Sequence, residues 1–108
     1  METMNNDEID IFEIISHGGD ARRLAYEALE VAEEFKFDEA TELLVCANTE
    51  ISKAHKTQTR LIQAELNGNP CDKTLLMIHA QDHLMTAISE IKLIEHMIRI
   101  LKKIENQS

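Results

Sequence analysis

Residues 75–104 read LLMIHAQDHLMTAISEIKLIEHMIRILKKI and carry two apolar rows, each at the spacing of an α-helix. The first row consists of Ala80, Leu84, Ala87, Ile91, Ile94, Ile98 and Leu101. The second lies on the other side of the helix and consists of Leu75, Ile78, Leu93, Met97, Ile100 and Ile104, with His79, Asp82, Thr86 and Ser89 as its polar middle. A helix of a small bundle buries one such row against its own chain. The second row therefore predicts a homo-oligomer, for which cyclic symmetry is the usual arrangement. A helix enclosed on both sides by its own chain is the alternative.

The rest of the chain supplies two further helical segments. The first is predicted at about Asp7–Phe35 and is interrupted by HGGD at 17–20, because paired glycines are unfavourable in a helix interior. We expect a kink or short break there, with Asp20 capping the restarted helix. The second is predicted at about Phe37–Leu66, and its apolar seam advances in steps of four and three. This seam comprises Ala40, Leu44, Ala47, Ile51, Ala54, Gln58 and Leu61.

Turn signals separate the second helix from the third. NGNP at 67–70 ends the second helix, and the third is predicted at about Asp72–Ile104 with Asp72 as its candidate N-cap. The sequence therefore predicts an all-α fold, an antiparallel three-helix bundle of the up-down-up type. The 108 residues suit one domain over 1–108, with residues 1–8 as a flexible terminus.

The composition argues against several classes of function. Eleven Lys and Arg face twenty Asp and Glu, a net charge of −9, which disfavours nonspecific nucleic-acid binding and docking on an anionic membrane. There is no secretory leader pattern and no apolar run long enough to cross a bilayer, so we expect a cytoplasmic protein without membrane insertion. Cys46 and Cys71 form no CxxC pair, and we interpret Cys46 as a small helix-packing residue and Cys71 as a loop thiol.

Residues 79–83 concentrate ionisable chemistry on one stretch of helix. His79 and His83 stand four apart, on adjacent turns of one helix side. Such a pair can share a metal ion, but Ala80 stands where an H-E-x-x-H site has its general base, and no further ligands complete a zinc set. Alternatively, a neutral imidazole can attack phosphorus and carry the phosphoryl group. The candidate donors to the phosphoryl oxygens are His83, Gln81 and Thr86. A structural role is the third interpretation, and it is the one we give to His17, His55 and His96.

Asp82 lies at the centre of the second apolar row, at the angle of Ile100 and close to that of Leu93. A carboxylate in an interface is costly unless it is paired or bound to a metal. In a cyclic oligomer, the copies of Asp82 would face one another around the axis and would share a proton or a cation. A hard cation such as Mg²⁺ suits oxygen ligands. The alternative is an exposed aspartate on a solvated edge.

LLMIHAQDHLMT at 75–86 closely resembles the signature of the IIA component of the lactose/cellobiose family of the bacterial phosphoenolpyruvate:sugar phosphotransferase system. GDARRLAYEAL at 19–29 and AHKTQTRLIQAE at 54–65 resemble the first-helix and second-helix stretches of that family. The likeness covers approximately residues 11–104.

This resemblance implies a three-helix subunit that assembles into a homotrimer. It implies that His79 accepts phosphate from the histidine-containing phosphocarrier protein and passes it to a cysteine of the IIB component, while the membrane IIC component moves the sugar. It further implies that His83 supports the active site, with Gln81 as a weaker candidate for the same role. Asp82 would bind one divalent cation per trimer on the axis, and the expected ion is Mg²⁺. The resemblance does not identify the sugar.

Some positions depart from the family pattern. Arg23 stands where a small hydroxyl residue is common, Lys36 replaces a frequent glycine, and the loop NGNPCDKT at 67–74 is idiosyncratic. None of these positions touches His79 or Asp82. The leading hypothesis is therefore a phosphocarrier that serves uptake of a β-linked disaccharide. The alternatives are a helical interaction or regulatory bundle without relay activity, and a metal-binding bundle.

Overall fold

Three long helices make up the fold. The structure, a computed structural model, describes residues 5–107. The helices are α1 (Asn6–Glu33), α2 (Phe37–Leu66) and α3 (Leu75–Asn106). The connections at 34–36 and 67–74 reverse the chain twice, so α1 and α3 run in the same direction and α2 runs against them. The predicted all-α, antiparallel three-helix bundle of the up-down-up type is confirmed.

The second helix has the predicted bounds, whereas both ends of the first and third helices differ from the prediction by one to three residues. The side chain of Asn5 caps α1 by accepting a hydrogen bond from the backbone N–H of Glu8 at 2.8 Å. The side chain of Thr74 caps α3 by accepting from the N–H of Met77 at 3.1 Å, so Asp72 is not the cap and α3 begins three residues later than predicted. Of the terminus predicted to be flexible, residues 1–4 lie outside the described residues, and residues 6–8 belong to the first turn of α1.

Helix α1 is continuous through residues 17–20, so the predicted break at HGGD is wrong. Two glycines cost a helix interior about 1 kcal/mol each relative to alanine. The apolar residues that flank the pair on both sides belong to the buried face of α1, namely Ile11, Ile14, Ala21 and Ala25. Packing of an amphipathic face supplies most of the stability of a helix in a protein. Here it outweighs the low helix propensity of the two glycines.

Small side chains dominate the core. The cluster around the C-terminal half of α1 consists of Ala21, Ala25, Ala28, Ala32, Ala40, Ala47, Ile91, Ile94 and Ile98. Each of the six alanines in it is 0% exposed, which lets α1 approach both neighbours closely. The other cluster has larger members and consists of Ile11, Ile14, Ala54, Leu61, Met77, Ala80 and Leu84. The first apolar row of α3 is thus buried as predicted, except that Leu101 is only half-buried.

The second apolar row of α3 faces away from its own chain. Its six apolar residues are between 44% and 83% exposed, with Leu75 the most exposed and Met97 the least. The alternative of a helix enclosed on both sides by its own chain is therefore excluded for these residues. Helix α1 packs against both other helices, whereas α2 and α3 diverge and leave a groove lined by Asn48, Ile51, Ser52, His55, Ile88, Ile91 and Lys92.

The two cysteines behave differently from each other. Cys46 is exposed on α2, so its interpretation as a helix-packing residue is wrong. Cys71 is half-buried in the loop between α2 and α3, as predicted, and its burial there raises the pKa of its thiol. No helix within residues 5–107 combines the length and the apolar character that crossing a bilayer would require.

Candidate functional site

The rings of His79 and His83 form the centre of the candidate site on α3. Their centroids lie 6.1 Å apart, and the ring planes differ by 14°, so the two imidazoles are stacked. Spacing of four residues along an α-helix places the two side chains one turn apart on the same side. His79 is exposed and His83 is half-buried toward α1. The structure therefore brings together the two histidines that the sequence singled out.

His83 packs against α1 at its pair of glycines. A Cβ atom on Gly18 would lie 3.6 Å from Cδ2 of His83, and one on Gly19 would lie 3.6 Å from Nε2. The ring of His83 thus rests on α1 at a place where that helix carries no side chains. This contact links positions 18–19 to position 83, and no local sequence pattern could have indicated it.

Gln81 does not lie near His79 within one chain. Two residues along an α-helix turn the side chain by about 200°, so Gln81 points to the opposite side of α3. There its Oε1 accepts a hydrogen bond from Nε2 of Gln58 on α2. The expectation that Gln81 supports His79 is therefore not met inside the subunit. Gln58, which the sequence placed on the apolar seam of α2, is instead a half-buried partner for this amide.

Thr86 shares the exposed side of α3 with His79 but is too far along the helix to assist it. Seven residues of α-helix separate the two Cα atoms by about 10 Å along the axis. A threonine side chain does not bridge such a distance. Of the three predicted donors, only His83 therefore lies next to His79 within one subunit.

Asp82 is exposed on the same side of α3 as the second apolar row. Within residues 5–107, no group of three or more His, Cys, Asp or Glu side chains is placed to hold a metal ion. One subunit offers a single carboxylate at this position. A cation at Asp82 would therefore need oxygen ligands from other copies of the chain.

Two of the other histidines have structural partners. Nδ1 of His17 donates a hydrogen bond to Oε2 of Glu50 at 2.6 Å, which joins α1 to α2. Nδ1 of His96 accepts a hydrogen bond from Arg99 at 2.9 Å on the surface of α3. Both rings thus have hydrogen-bond partners within the described residues, although His96 is exposed rather than in the core, and their structural role stays a prediction. His55 is exposed and lines the groove between α2 and α3.

A polar cluster that the sequence did not reveal joins α1 to α3 on the C-terminal side of His83. Nε of Arg22 donates a hydrogen bond to Oε2 of Glu90 at 2.9 Å. The hydrogen bond between Tyr26 and the same carboxylate raises the pKa of the Tyr26 hydroxyl. The 68 positions between Arg22 and Glu90 explain why no local pattern predicted the pair. Its position makes it a structural tie between the two helices that carry the site.

Comparison with known proteins agrees with the geometry. A family model described as "PTS system, Lactose/Cellobiose specific IIA subunit" matches residues 10–102. The lactose-specific EIIA component of Staphylococcus epidermidis is 43% identical over 102 residues, which cover 93% of this chain and 98% of that protein.

Solved structures show the same fold. The cellobiose-specific enzyme IIA of Bacillus anthracis superposes with a TM-score of 0.93 at 42% identity, covering 98% of this chain and 97% of that one. IIA(Chitobiose) of Escherichia coli, solved in complex with HPr, superposes with a TM-score of 0.81 at 30% identity, covering 94% of this chain and 99% of that one.

Proposed function

Because this chain belongs to the lactose/cellobiose-specific IIA family of the phosphotransferase system, we propose that it relays phosphate and that His79 carries the phosphoryl group. The observation that carries this proposal is the exposed ring of His79, stacked on a second imidazole. An exposed ring can be reached first by a donor protein and then by an acceptor. The rings of His17 and His96 are already engaged by Glu50 and Arg99.

The proposed chemistry has two transfers on His79. In the first, a nitrogen of the neutral His79 ring attacks phosphorus, the N–P bond to the donor histidine breaks, and one proton passes overall from His79 to the donor imidazole. In the second, an acceptor cysteine attacks phosphorus, the N–P bond to His79 breaks, and the thiol proton ends on the His79 ring. Phosphoryl transfer depends chiefly on positioning and on electrostatic support of the phosphoryl oxygens. His83 is the side chain placed to supply that support.

The proposed donor is the histidine-containing phosphocarrier protein, and the proposed acceptor is a cysteine of a IIB component that serves a membrane IIC transporter. The structural neighbour that was solved in complex with HPr supports the choice of donor. The net charge of −9 would speed encounter with a donor that presents a basic surface. We place the relay in the cytoplasm, where such a donor and acceptor meet. The transported sugar is proposed to be a β-linked disaccharide.

We further propose a homotrimer with α3 at its axis. The exposed apolar side of α3 supports this arrangement, because a row of such length is expected to be covered by a partner. Three Asp82 carboxylates around the axis would offer the oxygen ligands that a divalent cation such as Mg²⁺ prefers. Held there, the ion would neutralise the repulsion between the three carboxylates. In such a trimer, Gln81 could act only toward the His79 of a neighbouring copy.

Intact-protein mass spectrometry tests the relay directly. The chain is incubated with phosphoenolpyruvate, enzyme I and the histidine-containing phosphocarrier protein. We expect one acid-labile phosphate on the wild type and on the matched control His55→Ala, which removes another exposed histidine. We expect none on His79→Ala. Phosphate on His79→Ala would refute the site, and no phosphate on the wild type would favour the interaction-bundle alternative.

A further inference from the structure

The backbone conformation of α1 does not explain why glycine stands at positions 18 and 19. Glycine is the least favourable residue in a helix interior apart from proline. Positive φ is the usual reason to retain a glycine, but among residues 5–107 the only glycine with positive φ is Gly68. Gly18 and Gly19 lie in regular helix at the level of the candidate site. A Cβ atom at either position would contact only α3 among the other elements.

That contact is the ring of His83. A Cβ atom at either glycine would lie 3.6 Å from a ring atom of His83, which is ordinary van der Waals contact. A methyl group would thus just touch the ring. A longer side chain at either position adds atoms beyond this Cβ, and any of them that point toward α3 would meet the ring. Gly18 is buried beneath the ring, whereas Gly19 is only half-buried and borders solvent.

Packing alone holds His83 in place. Within residues 5–107, the structure contains no hydrogen bond or ion pair to the His83 ring. Its neighbours include Gly18 and Gly19 of α1 and the ring of His79, which is nearly parallel to it with the centroids 6.1 Å apart. The position of His83 relative to His79 consequently depends on how closely α1 lets the ring approach.

We propose that Gly18 and Gly19 are positioning residues for phosphoryl transfer, which seat the His83 ring against α1 so that it lies parallel to His79. This inference rests on the relay function proposed for His79. Misplacement of a supporting group by about 1 Å can slow a reaction about a hundredfold. We expect a side chain longer than alanine beneath the ring to displace His83 by a distance of this order, while the His79 residue is retained.

The test is a graded series at Gly19, namely Gly19→Ala, Gly19→Val and Gly19→Leu. We expect the rate of His79 phosphorylation to fall as the side chain lengthens, with Gly19→Leu about ten- to a hundredfold slower than the wild type. Alanine, valine and leucine are all better helix formers than glycine, so loss of α1 cannot account for slower transfer. Asp20→Leu is the matched control, since it adds the same side chain at the next residue, on the exposed side of α1, and should keep the wild-type rate.

Proton NMR of the His79 ring supplies a second readout that needs no phosphate. Stacking on His83 places the His79 ring protons in its ring current. We expect Gly19→Leu to move the His79 ring signals toward those of His83→Ala, and Asp20→Leu to leave them unchanged. Circular dichroism checks folding, and Gly19→Val replaces Gly19→Leu if the latter does not fold.

The two proposals fail in different ways. If the wild type takes up no phosphate, the relay function is refuted, and the NMR comparison still decides whether the glycines seat His83. If the wild type is phosphorylated on His79 and Gly19→Leu keeps both the wild-type rate and the wild-type ring signals, the positioning role is refuted while the relay stands.

Discussion

The carboxylate of Glu50 on α2 accepts a hydrogen bond from Nδ1 of His17 on α1, with 2.6 Å between Nδ1 and Oε2. Lys53 reaches the other oxygen of the same carboxylate at 3.1 Å. The hydrogen bond from His17, and then that from Lys53, hold the pKa of Glu50 below its usual value. This half-buried contact ties α1 to α2 beside the two glycines that carry His83, and it makes the stability of the bundle depend on pH.

Glu50→Gln should destabilise the bundle at neutral pH and not at low pH. A carboxyl with a lowered pKa in the folded state adds stability above its unfolded pKa, and that stability is lost as the pH falls through the folded pKa. Because the pair is partly exposed, we expect a loss of no more than about 1 kcal/mol at pH 7. The difference should vanish well below the ordinary value of 4.5. Urea unfolding at equal protein concentration measures it, and the exposed Glu42→Gln is the control. Equal stability of Glu50→Gln and wild type at pH 7 would contradict the assignment.

Leu93→Glu should abolish self-association without unfolding the subunit. Leu93 is 58% exposed on the second apolar row of α3, so its replacement leaves the internal core intact. In a trimer with α3 at the axis, three buried glutamates would repel one another and lack partners. Light scattering after size exclusion should report a monomer, and circular dichroism should report unchanged helicity. Val45→Glu, at a 61% exposed position of α2, should remain a trimer. A Leu93→Glu trimer would place the interface elsewhere.

Asp82→Leu should remove the proposed cation. Elemental analysis of the wild type should find one divalent ion for three chains, and that of the variant should find none, because leucine offers no oxygen ligand. The control is Asp20→Leu, which removes a carboxylate from the exposed side of α1 and should retain the ion. Chelation should weaken the assembly and leave phosphorylation of His79 in place. An Asp82→Leu trimer with undiminished metal would disprove the ion site.

Ala28→Leu should destabilise the fold because the core has no room for a larger side chain. Ala28 is 0% exposed within the cluster where α1 meets both neighbours. Added methylene groups in a packed core cost about 1–3 kcal/mol. Chemical denaturation measures the loss, and Glu30→Leu on the exposed side of α1 should change stability by less than about 0.5 kcal/mol. If the Ala28→Leu protein is as stable as the wild type, the neighbouring helices can move apart around Ala28 without loss of stability, and the prediction is wrong.

Much of the fold follows from local patterns in the sequence. Apolar spacing of three and four residues predicted all three helices, and NGNP at 67–70 predicted the turn after α2. The same spacing separated the buried row of α3 from the exposed row, because the angle of a side chain around a helix depends only on its position along the chain. The pairing of His79 with His83 followed for the same reason.

The tertiary structure decided what depends on contacts between distant residues. Local propensity predicted a break at Gly18 and Gly19, yet α1 continues, because the apolar residues on both sides of the pair share one core. The partner of Gln81 is Gln58 on α2, and the seat of His83 is the backbone of α1. The sequence by itself determined which residues form helices and which sides of them are apolar, since these are local properties. Only the packing of one helix on another decided where the side chains of the site come to rest, because that packing combines residues that lie far apart in the chain.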